Sequence, residues 1–292
     1  MDGSRSEGNE ATPKVDPWSD SQRASQEIKE KHFPVNYPQI VGDARVLFLG
    51  ERHDDNTIRE HIISSAPDFK AAGITHYAIE APEVGNVTLA RFNRGEQVDL
   101  STIDVGPARF NYEQAILAMN AQGIQVVAVD IDQSSNPTRQ ERESRMSANL
   151  LKVIKENPNS KIAYLVGTTH AIKKPLTDKV KSAAQITEEA GVKTVTAVFT
   201  GGIDSVPRNL TSAAKDAGLA SAEFALDFRL YAASTLKSIP YGAGRVDFVI
   251  HLPRTNFYPR PDFLPAHWSE PEGYREQTAN TGNIFRRLLG RR

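Results

Sequence analysis

The stretch Arg45-Val46-Leu47-Phe48-Leu49-Gly50-Glu51-Arg52-His53 decides the fold class, because a short apolar run leads directly into a glycine and then into charged residues. A continuous apolar run of this length is typical of a strand that is buried on both faces. Three further segments show the same pattern of an apolar run with a polar end, namely Thr75–Glu80, Ile124–Asp130 and Lys161–His170. The sequence therefore predicts buried strands that carry chemically reactive side chains at their carboxyl ends.

Strands and helices alternate along the rest of the chain. Two more strands are predicted at Thr194–Phe199 and Val246–Ile250. Helices are predicted near Thr57–Ala72, Asn86–Arg94, Tyr112–Gln122, Thr138–Glu156, Leu176–Ala190, Leu210–Ala217 and Phe224–Thr235. This alternation indicates an α/β fold with a mostly parallel central sheet flanked by helices. In such sheets the ligand crevice lies outside the carboxyl ends of the strands, so we expect the reactive side chains to meet there.

Three regions are expected along the chain. Residues 1–31 are polar and have few apolar anchors, which predicts a disordered leader or a loosely attached arm. Residues 32–252 carry the α/β pattern and are expected to form the catalytic domain. Residues 253–292 are rich in proline and aromatic residues and are predicted to wrap that domain, ending in a short basic helix, Ile284–Arg292. The basic end is either a solvated surface or a peripheral contact with an anionic membrane or a partner protein.

Composition excludes several functional classes. The chain of 292 residues has no cysteine, which rules out thiolate catalysis, disulfides, iron–sulfur clusters and cysteine-bound zinc. A net charge of −1 argues against a nucleic-acid surface. No apolar run reaches the roughly 18 residues of a membrane span, and the amino terminus lacks the apolar region of a signal peptide. The expected location is the cytoplasm, or the exterior by a route that uses no signal peptide.

Glu51 and His53 lie in the turn between the first predicted strand and the next helix. The amide groups at a helix start make their surroundings electropositive, which is expected to favour a neutral imidazole. His53 would then act as a base near neutral pH, and Glu51 would orient its ring or position a water molecule. The alternative is that both residues only cap the helix.

Three more strand-end residues complete the candidate site. Glu80 follows an apolar strand, so its carboxyl group is either desolvated, with a raised pKa suited to proton transfer, or paired with a cation. Asp130 is expected to orient other groups. His170 follows Gly167, which would let the chain turn sharply off the strand and set the imidazole over the crevice; the alternative is a hydrogen-bonded interior histidine. His251, at the end of the last strand, is a weaker candidate.

Motifs of other enzyme classes are missing from the sequence. It contains no Gly-x-Ser-x-Gly elbow for an α/β-hydrolase serine, no Gly-rich phosphate loop and no His-Glu-x-x-His. The chemistry is therefore expected to depend on histidine and carboxylate side chains.

The strand-end motifs together resemble those of a known superfamily. Gly50–Asp55, the strand-terminal Glu80, Asp130 and Gly167–His170 resemble the group that unites ChaN-like haem-binding proteins, erythromycin esterases, TraB/Tiki peptidases and the Ras/Rap-cleaving domain of some bacterial toxins. Arg142–Asn149 is similar to an Arg-Asp/Glu-x-x-Met helix of the ChaN-like branch, and Phe110-Asn111-Tyr112 is similar to its aromatic segment. The resemblance covers roughly residues 45–171.

The resemblance implies Glu51, His53, Glu80 and His170 as catalytic residues, with Arg142, Asp130 and Tyr112 as residues that bind substrate or support the site. The esterase-like and toxin-like branches imply hydrolysis without a cofactor, in which a Glu/His pair activates water and the second histidine with an arginine stabilises the oxyanion. The Tiki-like branch implies a divalent metal (Mn, Co or Zn) held by the same four catalytic residues.

The ChaN-like branch implies a haem- or iron-binding protein without turnover. We expect a hydrolase that cleaves an ester or peptide bond of a protein or small-molecule substrate and resembles bacterial effectors or toxins. Haem or metal binding is the alternative, and a scaffold that only makes protein contacts is a third. Several buried charges argue against the scaffold, since each buried charge lowers the stability of the fold by several kcal/mol and would not be expected without a function.

Overall fold

A single sheet organises the described residues. Its strands are β1 (Val46–Glu51), β2 (His76–Pro82), β3 (Gln125–Asp130), β4 (Ile162–Gly167), β5 (Thr194–Thr200), β6 (Phe224–Asp227) and β7 (Phe248–His251). They lie in the order β3-β2-β4-β1-β5-β7-β6. The pairings are parallel except that β6 runs antiparallel to β7. The predicted α/β fold with a mostly parallel sheet is therefore confirmed.

The computed structural model describes residues 17–53, 55–105, 109–174, 180–200, 208–231 and 244–253. At a few positions within these ranges only the backbone is described. All of them belong to the compact unit Met1–Pro259. The predicted tail beyond Pro253, including the basic helix Ile284–Arg292, lies outside the described residues. The proposed boundaries of the catalytic domain stay a prediction.

The helices flank the sheet in the expected order. They are α1 (Pro17–Lys31), α2 (Tyr37–Val41), α3 (Asn56–Ser64), α4 (Ala66–Ala71), α5 (Asn86–Asn93), α6 (Arg109–Ala121), α7 (Arg139–Glu156), α8 (Thr168–Ala171), α9 (Ala183–Glu189) and α10 (Arg208–Asp216). The single helix predicted over Thr57–Ala72 is two helices that meet at Ser65, with a proline in the first turn of α4. Proline lacks the N–H that a continuous helix would need there.

The helix predicted over Phe224–Thr235 is wrong in its described part. Phe224–Asp227 form the edge strand β6, and a 3₁₀ turn follows over Phe228–Tyr231. The side chains of Phe224, Ala225 and Leu226 are all buried. Pairing with β7 and burial of this apolar run outweigh the local helix preference of the sequence.

The leader prediction also needs correction. Residues 17–31 form α1 rather than a disordered segment, while residues 1–16 lie outside the described residues. Ala24 and Ile28 are buried in a cluster with Leu210, Ala213 and Phe224. Ala24 and Ile28 lie one helical turn apart and pack against the apolar face of α10, which holds α1 on the domain.

The strand order brings the reactive strand ends together. In the pairing of β1 with β4, Glu51 lies beside Gly167, and β2 lies between β3 and β4. Gly50 is required at the end of β1, because a Cβ atom there would lie 2.9 Å from Val198 Cγ1 and 3.1 Å from the backbone of Thr168. In the described ranges, none of the helices combines the length and hydropathy that a membrane crossing requires.

Two asparagines of α5 cover the exposed edge of β3. Asn86 Nδ2 donates to the Ala128 carbonyl at 2.8 Å, and Ala128 N donates to Asn86 Oδ1 at 2.8 Å. Asn93 makes the same pair of hydrogen bonds with Val126, at 2.9 and 3.0 Å. Because each side-chain amide has the donor and acceptor of a peptide group, the two asparagines replace a neighbouring strand.

Candidate active site

A cavity of about 560 Å³ opens at the carboxyl ends of the strands. It is lined by five of the seven residues that the sequence singled out: His53, Glu80, Tyr112, Asp130 and Arg142. The other two, Glu51 and His170, lie directly behind this wall, where they contact His53 and Glu80. The structure therefore brings all seven residues to one site, and their catalytic roles stay predictions.

Glu51 is the buried acceptor at the centre of the site. Its Oε1 atom accepts hydrogen bonds from His53 Nδ1 at 3.0 Å, Arg59 Nη2 at 2.9 Å and the Tyr112 hydroxyl at 2.8 Å. The Thr168 hydroxyl donates to the backbone carbonyl of Glu51 at 2.9 Å, which fixes the strand end against α8. Burial raises the pKa of the Tyr112 hydroxyl well above its usual value, so this group remains a donor to Glu51.

Glu51 and His53 do not cap α3. That cap is Asp55, whose Oδ1 accepts from Thr57 N at 3.0 Å. The capping alternative for the Glu51–His53 pair is therefore wrong, and the two side chains are available to each other.

His53 is the most accessible of the candidate catalytic groups, with 50% of its side chain exposed. Its Nδ1 faces Glu51, and its Nε2 lies 3.6 Å from Glu80 Oε2. The hydrogen bond to Glu51, reinforced by the negative charge of Glu80, raises the pKa of His53 above its usual value. The expectation that the helix start favours a neutral imidazole is wrong, because the adjacent carboxylates stabilise the imidazolium form more strongly.

Glu80 takes the cation-paired form of the two that were predicted. Arg142 makes a close ion pair with Glu80 Oε1, and it also contacts Asp130 through Nη2 to Oδ2 at 2.6 Å and Nε to Oδ1 at 3.1 Å. Glu80 Oε2 accepts from the backbone N–H of Gly167 at 2.7 Å. A register shift in the pairing of β2 with β3, between Ile79 and Pro82, accompanies this placement. Bulges of this kind re-aim side chains next to functional sites.

His170 is buried, and its ring is held by a carboxylate. Nδ1 lies 2.8 Å from Glu143 Oε1, and Nε2 lies 3.7 Å from Glu80 Oε1. Gly167 serves this site by leaving room, since a Cβ atom there would lie 3.0 Å from His53 Nε2 and 3.3 Å from His170 Cδ2. Its φ of −53° is accessible to any residue, so the expected sharp turn is not the reason for a glycine.

The side-chain arrangement does not fit the metal site that one branch of the resemblance implies. Among the described residues, no group of three or more histidine and carboxylate side chains is arranged to hold a metal ion. The positive charge beside Glu80 and Asp130 comes from the guanidinium of Arg142, which forms ion pairs with both carboxylates.

Two residues of the site were missed from the sequence, Arg59 and Glu143. Both side chains are completely buried. Arg59 lies over the ring of Tyr112, with its guanidinium carbon 4.6 Å from the ring centroid. Each residue lies on the buried face of its helix, Arg59 next to Ile58 in α3 and Glu143 one turn before Met146 in α7, and this position was the available signal. Their partners come from other elements, so the local sequence could not assign them.

The weaker candidate, His251, lies away from the cavity. It is buried, and its ring stacks on Phe224 with the centroids 4.8 Å apart. Burial lowers its pKa, which favours a neutral imidazole in the core. The structure therefore places His251 among packing residues.

The fold and the site define an α/β protein with a cluster of carboxylates, histidines and arginines at the strand ends. No family model and no curated protein matches the chain. Among solved structures, a Bacillus cereus protein superposes with a TM-score of 0.54 and 12% identity, over 80% of this chain and 97% of that chain. A mutant of the erythromycin esterase EreC in its open conformation gives 0.53 and 11%, over 75% and 92%. The type III effector HopBA1 gives 0.45 and 14%, over 75% and 92%.

At these identities, the first two matches establish a shared fold and nothing about activity. The chain therefore shares its fold with the erythromycin esterase EreC, a member of the group that the strand-end motifs resemble. This part of the sequence-based prediction is confirmed.

Proposed function

We propose that this protein is a hydrolase that cleaves an ester or peptide bond with a water molecule activated by the Glu51–His53 pair. The observation that carries the proposal is the orientation of His53. Its Nδ1 is held by Glu51 at 3.0 Å, its Nε2 faces the cavity wall at Glu80, and half of the side chain is exposed. An imidazole with one nitrogen fixed by a carboxylate and the other facing a cavity has the geometry of a general base.

In this proposal, His53 Nε2 removes a proton from water as the oxygen attacks the substrate carbonyl. Arg142 at the cavity wall stabilises the negative charge that develops on the carbonyl oxygen. His53 then returns the proton to the leaving oxygen or nitrogen, which completes the cycle without a covalent intermediate. Glu80 and Asp130 act indirectly, because their charges fix the guanidinium of Arg142.

The alternative is a haem- or iron-binding protein without turnover. It is supported by the half-exposed imidazole of His53 in the lining of the cavity, since histidine is a common iron ligand. The charged wall formed by Glu80, Asp130 and Arg142 favours the hydrolase, because the flat faces of haem require an apolar pocket.

The test is a turnover screen with matched variants. Chelator-treated protein is assayed with aryl esters, lactones, peptide libraries and small GTPases, since the toxin-like branch of the resemblance acts on proteins. His53→Gln is compared with His32→Gln, a change at the end of α1 that lies outside the cavity. We expect hydrolysis of at least one substrate class, lost in His53→Gln by about 100-fold or more and retained in His32→Gln.

Equal activity of the two variants would contradict the role of His53. A Soret band after incubation with haem that disappears in His53→Gln, without hydrolysis of any substrate, would support the alternative instead.

A further inference from the structure

Two imidazoles approach different oxygens of the same carboxylate. His53 Nε2 lies 3.6 Å from Glu80 Oε2, and His170 Nε2 lies 3.7 Å from Glu80 Oε1. Each imidazole has its Nδ1 on a separate buried carboxylate, Glu51 for His53 and Glu143 for His170. The site therefore contains two carboxylate–histidine pairs whose Nε2 atoms both lie near Glu80.

We propose that Glu143 is the positioning residue of His170, and that it sets the tautomer in which the Nε2 lone pair of the neutral ring faces the reaction site. This inference rests on the proposed hydrolase only for its kinetic consequence. The tautomer itself is a property of the folded protein and is measurable without a substrate.

The hydrogen bonds of Glu143 carry the argument. Its Oε1 faces His170 Nδ1 at 2.8 Å, and its Oε2 accepts from the backbone N–H of Ala183 at 2.8 Å. The side chain is completely buried, with Arg139 Nε 3.6 Å from Oε1 as a nearby cation. An ionised carboxylate only accepts hydrogen bonds, so His170 Nδ1 must carry a proton. The neutral ring then has its lone pair on Nε2.

The first turn of α9 determines which of the two partners of Glu143 can change its hydrogen-bonding role. Ala183 is the first residue of α9, and its N–H points at Glu143 rather than at a partner within the helix. The backbone N–H of Ala183 cannot become an acceptor, whereas the imidazole of His170 can exchange donor and acceptor between its two nitrogens. If a substitution at Glu143 removes one acceptor oxygen, His170 will therefore be the partner that changes its tautomer.

Glu143→Gln removes one acceptor without changing the shape of the side chain. The single amide oxygen will remain with the N–H of Ala183, and the amide NH₂ will face His170 Nδ1. His170 must then accept at Nδ1 and carry its proton on Nε2. The lone pair is withdrawn from the site, and the helix contact is preserved.

The experiment is a long-range ¹H–¹⁵N correlation spectrum of the imidazoles, recorded at a pH where His170 is neutral. His170 is assigned by the loss of its signals in His170→Gln. We expect the Nδ1–H tautomer in the wild type and the Nε2–H tautomer in Glu143→Gln. Glu156→Gln, an exposed change of the same kind at the end of α7, should leave the wild-type spectrum unchanged.

An Nε2–H tautomer in the wild type would overturn the proposal even if Glu143→Gln does not fold. An unchanged Nδ1–H tautomer in a folded Glu143→Gln would overturn it as well. Once a substrate is known, kcat of Glu143→Gln should fall by about 10²–10⁴-fold with little change in KM, as expected for an imidazole held in the wrong tautomer. If the tautomer changes but no substrate is ever hydrolysed, the hydrolase proposal fails and the positioning role of Glu143 stands.

Discussion

The backbone N–H of Gly167 donates to Oε2 of Glu80 at 2.7 Å, which joins the ends of β4 and β2. Arg142 approaches the other oxygen of the same carboxylate. Glu80 is therefore fixed from two sides, and the space above Gly167 is left to the rings of His53 and His170. The geometry of both histidines depends on the absence of a side chain at this position.

Gly167→Ala should lower the activity of the site without unfolding the protein. The added methyl group would lie 3.0 Å from His53 Nε2 and 3.3 Å from His170 Cδ2, so both rings must move. The rings need to move by only a few tenths of an ångström, so the rate should fall by less than the roughly 100-fold that a displacement of about 1 Å can cost. Turnover on the screened substrate and urea unfolding measure the two effects.

The matched control is Gly85→Ala, at a φ of −63° and with the new methyl group 3.4 Å from Ile103 Cγ2. We expect this variant to keep both activity and stability. Full activity in Gly167→Ala would show that the two rings are not held where the structure places them.

Arg59 should be essential for stability because it is the buried counter-charge of Glu51. Both side chains are completely buried, and Arg59 Nη2 lies 2.9 Å from Glu51 Oε1. Removing one partner of a buried ion pair typically costs about 3–5 kcal/mol, since the other charge is left uncompensated. We expect Arg59→Met to lower the free energy of unfolding by about this amount in a denaturant titration.

The double variant Arg59→Met/Glu51→Gln provides the control, because it removes the stranded charge. It should recover part of the loss, so that the two single changes are strongly non-additive. Additive losses would mean that the two charges do not interact.

The raised pKa of His53 predicts a definite pH dependence. An imidazole whose pKa is higher in the folded protein adds stability that is fully present below the unfolded value of about 6.5. That stability is lost as the pH rises through the folded pKa. His53→Gln should therefore be less stable than the wild type at acidic pH, with a difference that shrinks at alkaline pH. The effect should be small, because half of the side chain is exposed.

Urea unfolding of both proteins between pH 5 and pH 9 measures this difference, over about the range in which a histidine titrates. Glu51→Gln should lower the pKa of His53 in an NMR titration, since it removes the largest cause of the shift. A stability difference that grows with pH would contradict the assigned direction.

The amide pairs of α5 should protect the edge of β3. Asn86→Asp keeps the shape of the side chain but places a carboxylate oxygen against the Ala128 carbonyl, where Nδ2 now donates at 2.8 Å. Leaving a partly buried polar group without its hydrogen bond costs about 1–3 kcal/mol. We expect a loss of this size in thermal or urea unfolding, together with a greater tendency to aggregate through the exposed edge.

Asn136→Asp is the matched control, because Asn136 is exposed and has a φ of 48°, a conformation that aspartate also tolerates. If the two variants are equally stable, the asparagine amides do not contribute to the stability of the sheet edge.

The sequence by itself determined the strands and the reactive groups at their ends. Apolar runs such as Val46–Leu49 and Ile162–Val166 are continuous, because both faces of a central parallel strand are buried. Charged residues at the ends of such runs are expected at the carboxyl edge of the sheet, where ligands bind in open α/β folds. That logic identified Glu51, Glu80 and Asp130 without any knowledge of the strand order.

Only the tertiary structure decided which of these groups are partners. The order β3-β2-β4-β1 brings both histidines to the carboxylate of Glu80. Arg59 and Glu143 reach the site from α3 and α7, so their roles depend on helix packing. The same reason explains the errors at Phe224–Asp227 and at α1, where contacts with β7 and α10 override local preferences. Local sequence encodes polarity and periodicity, whereas the pairing of buried charges depends on residues that are distant along the chain.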